Sequence, residues 1–108
     1  MRTRSEIPSV MEMRTLFRPF CEKHGIRRLD VFGSAAYGQT APDSDVDLLV
    51  TLNDSKFVST AALLEMAGEA EEVVGVPVDF VLRSSLEKSP NQFAREQILA
   101  SAVCLYRS

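Results

Sequence analysis

Residues 29–52, LDVFGSAAYGQTAPDSDVDLLVTL, constrain this chain more than any other stretch. An apolar run ends in Gly33-Ser34, ten residues intervene, and Asp45-Val46-Asp47 leads into a second apolar run, Leu48 to Val50. Two strand-like segments joined by so short a connection pair antiparallel, because a parallel crossover needs a longer chain. Carboxylates one residue apart in a strand project to the same face. A Gly-Ser turn folding back over that face would add backbone N–H groups and a hydroxyl. Phosphate oxygens and a divalent cation suit such a combination.

The next informative residue is Asp79, the one charge in VPVDFVL, residues 76–82. A buried carboxylate without a partner costs several kcal/mol. One solution sets this third strand beside the second, so that Asp79 joins Asp45 and Asp47 around a cation. Three carboxylates from two neighbouring strands form a hard oxygen site suited to Mg²⁺. Without metal they would repel one another and raise at least one pKa.

The rest of the chain reads as a frame for these residues. Val10, Met13, Leu16, Phe17 and Phe20 recur at helical spacing after Pro8-Ser9, and Gly25 ends that run. Residues 29–32 form a buried strand, 34–38 a short helical turn, 40–44 a loop and 46–52 the second strand. Asn53-Asp54-Ser55 is a turn before an amphipathic helix over residues 57–74 that stops at Gly75. Pro77 places the third strand at an edge or marks its first residue. A last helix over residues 90–101 turns Phe93, Ile98 and Leu99 inward, and residues 103–106 close the sheet. The expected fold is α/β of the α+β kind: a small mixed β-sheet with helices packed on one face.

Composition narrows the function classes. At 108 residues the chain is expected to be a single domain, residues 1–108. A net charge of -3 argues against nucleic acid as a partner, despite the arginines gathered in the first quarter, which read as a solvated helix face. No apolar run approaches the roughly 20 residues of a membrane span, no leader peptide is visible, and a cytoplasmic location is the expectation. Cys21 and Cys104 read as thiols in a reducing compartment, not as a disulfide. His24, the only histidine, sits near a helix end where a cation complements the dipole.

Gly33-Ser34, ten residues and Asp45-x-Asp47 resemble the signature of the polymerase β-like nucleotidyltransferase superfamily. In so short a chain the likeness is greatest to the minimal nucleotidyltransferases, antitoxin partners of HEPN-domain toxins. It extends through the leading helix, the crossover helix, VPVDFVL and the ILASAVCLY ending. The resemblance implies a polymerase β-like fold and transfer of AMP from ATP to a hydroxyl, a tyrosine of a HEPN-type toxin. It implies that Gly33 and Ser34 hold the β- and γ-phosphates of the nucleoside triphosphate. Asp45 and Asp47 would bind the two Mg²⁺ ions, and Asp79 would complete one metal site and help deprotonate the acceptor. One departure stands out: Tyr37 precedes Gly38 where many relatives carry a basic residue. Tyr37 is then expected to contact the nucleotide by a hydrogen bond or by stacking, with Lys56, Arg83, Lys88 and Arg95 as substitute cations. Two other readings follow from size and from this departure. One is a binding module that neutralises its partner by complex formation. The other is a small-molecule nucleotidyltransferase whose pocket is walled by a second copy, a homo-oligomer.

Overall fold

The computed structural model describes residues 8–37, 45–52 and 59–108, without the side chains of Ser34 and Tyr37. The expected loop at 40–44, the turn at 53–55, Lys56, the first residues of the expected crossover helix and Arg2 and Arg4 lie outside the described residues. Helix α1 spans Val10–His24, strand β1 Ile26–Phe32, a short 3₁₀ turn Gly33–Tyr37 and β2 Val46–Leu52. Helix α2 is Thr60–Val74, β3 Val78–Leu82, α3 Arg83–Glu87, α4 Gln92–Ser101 and β4 Val103–Arg107.

Local chemistry sets these boundaries. Ser9 and Glu12 cap α1 reciprocally: the Glu12 N–H donates to Ser9 Oγ at 3.2 Å, and the Ser9 N–H donates to Glu12 Oε1 at 3.0 Å. Gly25, at φ 63°, ends the helix in the left-handed conformation that suits glycine. Ser59 caps α2 through a 3.2 Å bond from the Ala62 N–H.

The sheet order is β3-β2-β1-β4, with β1 antiparallel to β2 and β4, and β2 parallel to β3. Strand β3 is an edge strand, in keeping with Pro77 just before it. Alternation divides the sheet into two faces. Val31, Val46, Leu48 and Val50 point toward α1 and α2 and form the main core with Met13, Phe17, Met66, Ala70 and Val74. Phe32 and Leu49 point the other way and meet Leu86 of α3, with Ile98 and Ala102 at the margin. The two long helices thus share one face, and the short α3 and α4 add a partial cover to the other. This opposite face carries the polar chemistry.

Several details differ from the sequence expectation. Strand β1 starts at Ile26, three residues early, with a register irregularity between Ile26 and Arg28. Helix α3, with little apolar periodicity in RSSLE, was not expected. Phe93 and Leu99 of α4 do not point inward: Phe93 is 70% and Leu99 38% exposed. Helix α4 buries no residue fully and lies against the sheet mainly through Ile98. Both cysteines are free thiols, and burial first, then the neighbouring Glu22, pushes the Cys21 thiol up to about 12, so it is unreactive at neutral pH. Among the described residues, no helix is long and apolar enough to cross a membrane.

Candidate active site

The polar face places the acids through strand register. Phe32 is opposite Asp47 across the antiparallel β1–β2 pair, so the chain leaves β1 at Gly33 beside that carboxylate. Asp47 is also the register partner of Asp79 across the parallel β2–β3 pair. Partners in register share a face, so the two carboxylates are on the same side of the sheet. Asp45, exposed, immediately precedes β2. Asp79 is exposed on the edge strand and Asp47 is half-buried.

Gly33 is required here twice over. Its φ of 73° lies in the left-handed region that side chains disfavour. A Cβ at this position would stand 2.7 Å from Asp47 Oδ2, closer than real Cβ contacts allow. The glycine therefore keeps one oxygen of Asp47 open at the point where the backbone turns past it.

The Asp47 carboxyl is held above its ordinary pKa, first by burial, then by the charge of Asp79, then by that of Asp45. The three acids thus form one electrostatic group centred on Asp47. Among the described residues no three His, Cys, Asp or Glu side chains are already gathered into a metal cage. The donor set nevertheless fits a hard divalent cation. It is all carboxylate, and Asp47 at its centre lines the opening beside Gly33.

Residues 13–105 match the nucleotidyltransferase domain family. The chain belongs to that family. Within it, the relatives of this nucleotidyltransferase are minimal enzymes of the MntA kind. It is 34% identical over 87 residues to the protein adenylyltransferase MntA of Thermococcus cleftensis, covering 81% of this chain and 84% of that protein. A solved structure described as a minimal nucleotidyltransferase is 30% identical, with a TM-score of 0.68, and covers 89% of this chain and 95% of its own. Two more distant structures share the fold. One is a toxin–antitoxin complex with AMP-PNP, at TM-score 0.69 and 18% identity over 88% of this chain and 73% of that one. The other contains a tri-AMPylated Shewanella oneidensis HEPN toxin with an MNT antitoxin, at TM-score 0.65 and 15% identity over 92% of this chain and 73% of that one. The polymerase β-like character expected from residues 33–47 is therefore the fold of this nucleotidyltransferase.

A cleft of about 540 Å³ opens beside Asp47, lined by Phe32, Gly33 and Asp47 on one side and by Gln97, Ile98, Ala100 and Ser101 of α4 on the other. Sequence reasoning missed this wall, because Gln97 and Ser101 carry no motif and become neighbours of Asp47 only when α4 crosses the sheet. Gln97 and Ser101 are four apart, as are Phe93 and Gln97, so the three lie along one stripe of the helix. Of the substitute cations, Arg83 is committed elsewhere: its Nε–H donates to Thr51 Oγ1 at 3.0 Å, at the far end of β2. Arg95 donates to the Ser89 carbonyl at 3.2 Å, and Lys88 is exposed at the end of α3. Neither lines the cleft. The backbone of Ser34 and Tyr37 lies in the 3₁₀ turn beside β1 and β2.

Proposed function

We propose that residues 1–108 act as one catalytic domain that transfers AMP from ATP to a tyrosine hydroxyl of a HEPN-type toxin, serving as its antitoxin. The observation that carries the reading is Asp47 set against Asp79 in register, with an oxygen kept accessible by Gly33. The names of the relatives, adenylyltransferases and antitoxins, support the donor and the class of acceptor.

In this reading the backbone N–H groups at Gly33 and Ser34 receive the β- and γ-phosphates, and Tyr37 contacts the nucleotide. Asp45, Asp47 and Asp79 would hold Mg²⁺ at a two-ion site. Ions bound there would neutralise phosphate charge and stabilise the entering and leaving oxygens. Asp79, exposed on the edge strand, takes the proton of the approaching hydroxyl. The acceptor oxygen bonds to the α-phosphorus as the bond to the β-phosphate bridge breaks, and pyrophosphate departs in line. The protein's own contribution is placement and a fixed electrostatic field.

A macromolecular acceptor is supported by the openness of the site. The cleft is walled on one side by a single loosely seated helix, and the large exposed Phe93 stands one turn beyond Gln97 on the same stripe. Incubating the protein with ATP, Mg²⁺ and a HEPN-type partner should add AMP-sized mass increments to a partner tyrosine. A folded enzyme giving no such increment would reject the reading. If the Asp45→Asn/Asp47→Asn double variant protects cells from the partner as well as wild type, complex formation alone is the function.

A further inference from the structure

The opposite end of the same sheet face holds a second cleft of about 370 Å³, lined by arginines in place of acids. Its walls come from all four strands or their ends: Arg27 and Arg28 from β1, Thr51 from β2, Arg83 where β3 enters α3, and Arg107 at the end of β4 with Ser108 after it. Thr51 is four residues along β2 from Asp47, which at the strand rise separates the two sites by roughly 13 Å. The chain as a whole carries a net charge of -3, so this concentration of guanidinium groups runs against its average.

Part of the positive charge has a structural task. Asp30 is fully buried, and Arg28 clasps it with two bonds, Nε to Oδ1 at 2.9 Å and Nη2 to Oδ2 at 3.1 Å. One guanidinium is enough to neutralise the one buried carboxylate, and Arg27, Arg83 and Arg107 line the cleft as well. Arg83 Nη2 stands 3.9 Å from Asp30 Oδ1, beyond hydrogen-bond range, while its Nε is tied to Thr51 Oγ1. Arg107 is exposed and makes no ion pair among the described residues. The heads of Arg28 and Arg83 are thus fixed in place by the fold, which removes much of the entropy cost of recruiting them.

We propose that this cleft binds a small phosphate-bearing ligand at a site separate from the catalytic acids. A tetrahedral oxyanion offers several acceptors at once, which suits two or three guanidinium groups and the hydroxyl of Thr51. The volume lies at the low end for small-molecule pockets and takes a phosphate with a modest attached group. The local charge is too confined, and the chain too acidic overall, for the phosphate to come from a nucleic-acid backbone.

The test is a titration of the isotope-labelled protein with inorganic phosphate, and separately with pyrophosphate, followed by two-dimensional NMR. EDTA removes divalent ions that would draw phosphates to the acids, and physiological ionic strength removes weak ion atmosphere effects. Saturable shifts are expected at Arg28, Thr51, Arg83 and Arg107, and not at Gly33 or Asp47. Arg83→Gln and Arg107→Gln should each weaken binding about tenfold while the remaining spectrum stays native. Absence of saturation, shifts centred on Gly33 and Asp47, or variants that bind like wild type would each overturn the proposal. So would a single-stranded oligonucleotide that binds more tightly than pyrophosphate and gains affinity with length.

Discussion

Asp30 and Asp47 are both strand carboxylates on one face of one sheet, yet the fold treats them in opposite ways. Asp30 is wholly buried and gripped by Arg28 through two charge-assisted bonds. Asp47 retains some exposure, lies near Asp79 and Asp45, and is held above its ordinary pKa by burial and by their charges. The buried acid is compensated, so its charge is spent inside the protein. The half-buried acid is uncompensated, and its field points into a cleft. Burial alone does not set a carboxylate's state; the sign of its neighbours does.

Removing the charge of Asp47, and separately the partner of Asp30, tests this contrast most severely. Asp47→Asn should lower adenylyl transfer about 10²–10³-fold, measured as labelled AMP on the acceptor. It should also raise the melting temperature in metal-free buffer, because it relieves a strained charge. The sign follows from linkage. The folded pKa of Asp47 lies above its ordinary 3.8, so the native state binds the proton more tightly, and stability falls as pH rises from the ordinary value through the folded one. The advantage of Asp47→Asn should therefore open across that window and stay constant above it. At the compensated end the order reverses. Arg28→Met leaves Asp30 buried with only Arg83, 3.9 Å away, and should cost about 3 kcal/mol in denaturant unfolding. An unchanged midpoint would show that Asp30 does not depend on that clasp.

Gly33→Ala probes the boundary between the two kinds of site. It forces a Cβ onto Asp47 Oδ2 and strains a backbone at φ 73°. A stability loss of about 1–2 kcal/mol is expected. Weaker triphosphate binding should accompany it, seen as a raised KM for ATP. Full activity in this variant would mean that the open oxygen of Asp47 is not used.

The same contrast explains what could be read from the residues. Asp79 stood out because it interrupts an apolar run, and strand register then set it opposite Asp47. Asp30 interrupts Leu29-Asp30-Val31-Phe32 in the same manner, but its partner, Arg28, is two residues away and reads as solvated surface. The glycine turn and the strand pair were legible since both depend on local spacing. The cleft wall was not. Helix α4 carries Phe93 and Leu99 at spacings that imply an inward face, but the neighbouring Leu86 of α3 and Ile98 already cover the Phe32 and Leu49 surface, leaving Phe93 exposed. Which apolar residue wins a limited patch of sheet is decided by tertiary geometry that periodicity does not encode.

The smallest effect should come from the other face, where α1 meets α2 far from either cluster of charge. Glu69 bridges Lys23 Nζ and His24 Nε2, each at 2.6 Å. The hydrogen bond from Lys23, followed by that from His24, holds the Glu69 carboxyl below its ordinary 4.5. A depressed acid stabilises the fold above its unfolded value, and that contribution fades as pH falls through the lower folded one. Glu69→Gln should therefore lower the melting temperature slightly at neutral pH and not at all once the medium is acid enough to protonate the carboxyl. Lys23 is mostly exposed, so added salt should shrink the difference further. A drop as large as that of Arg28→Met would mean that an exposed bridge matters as much as a buried one, and would undo the distinction drawn between compensated and surface charge.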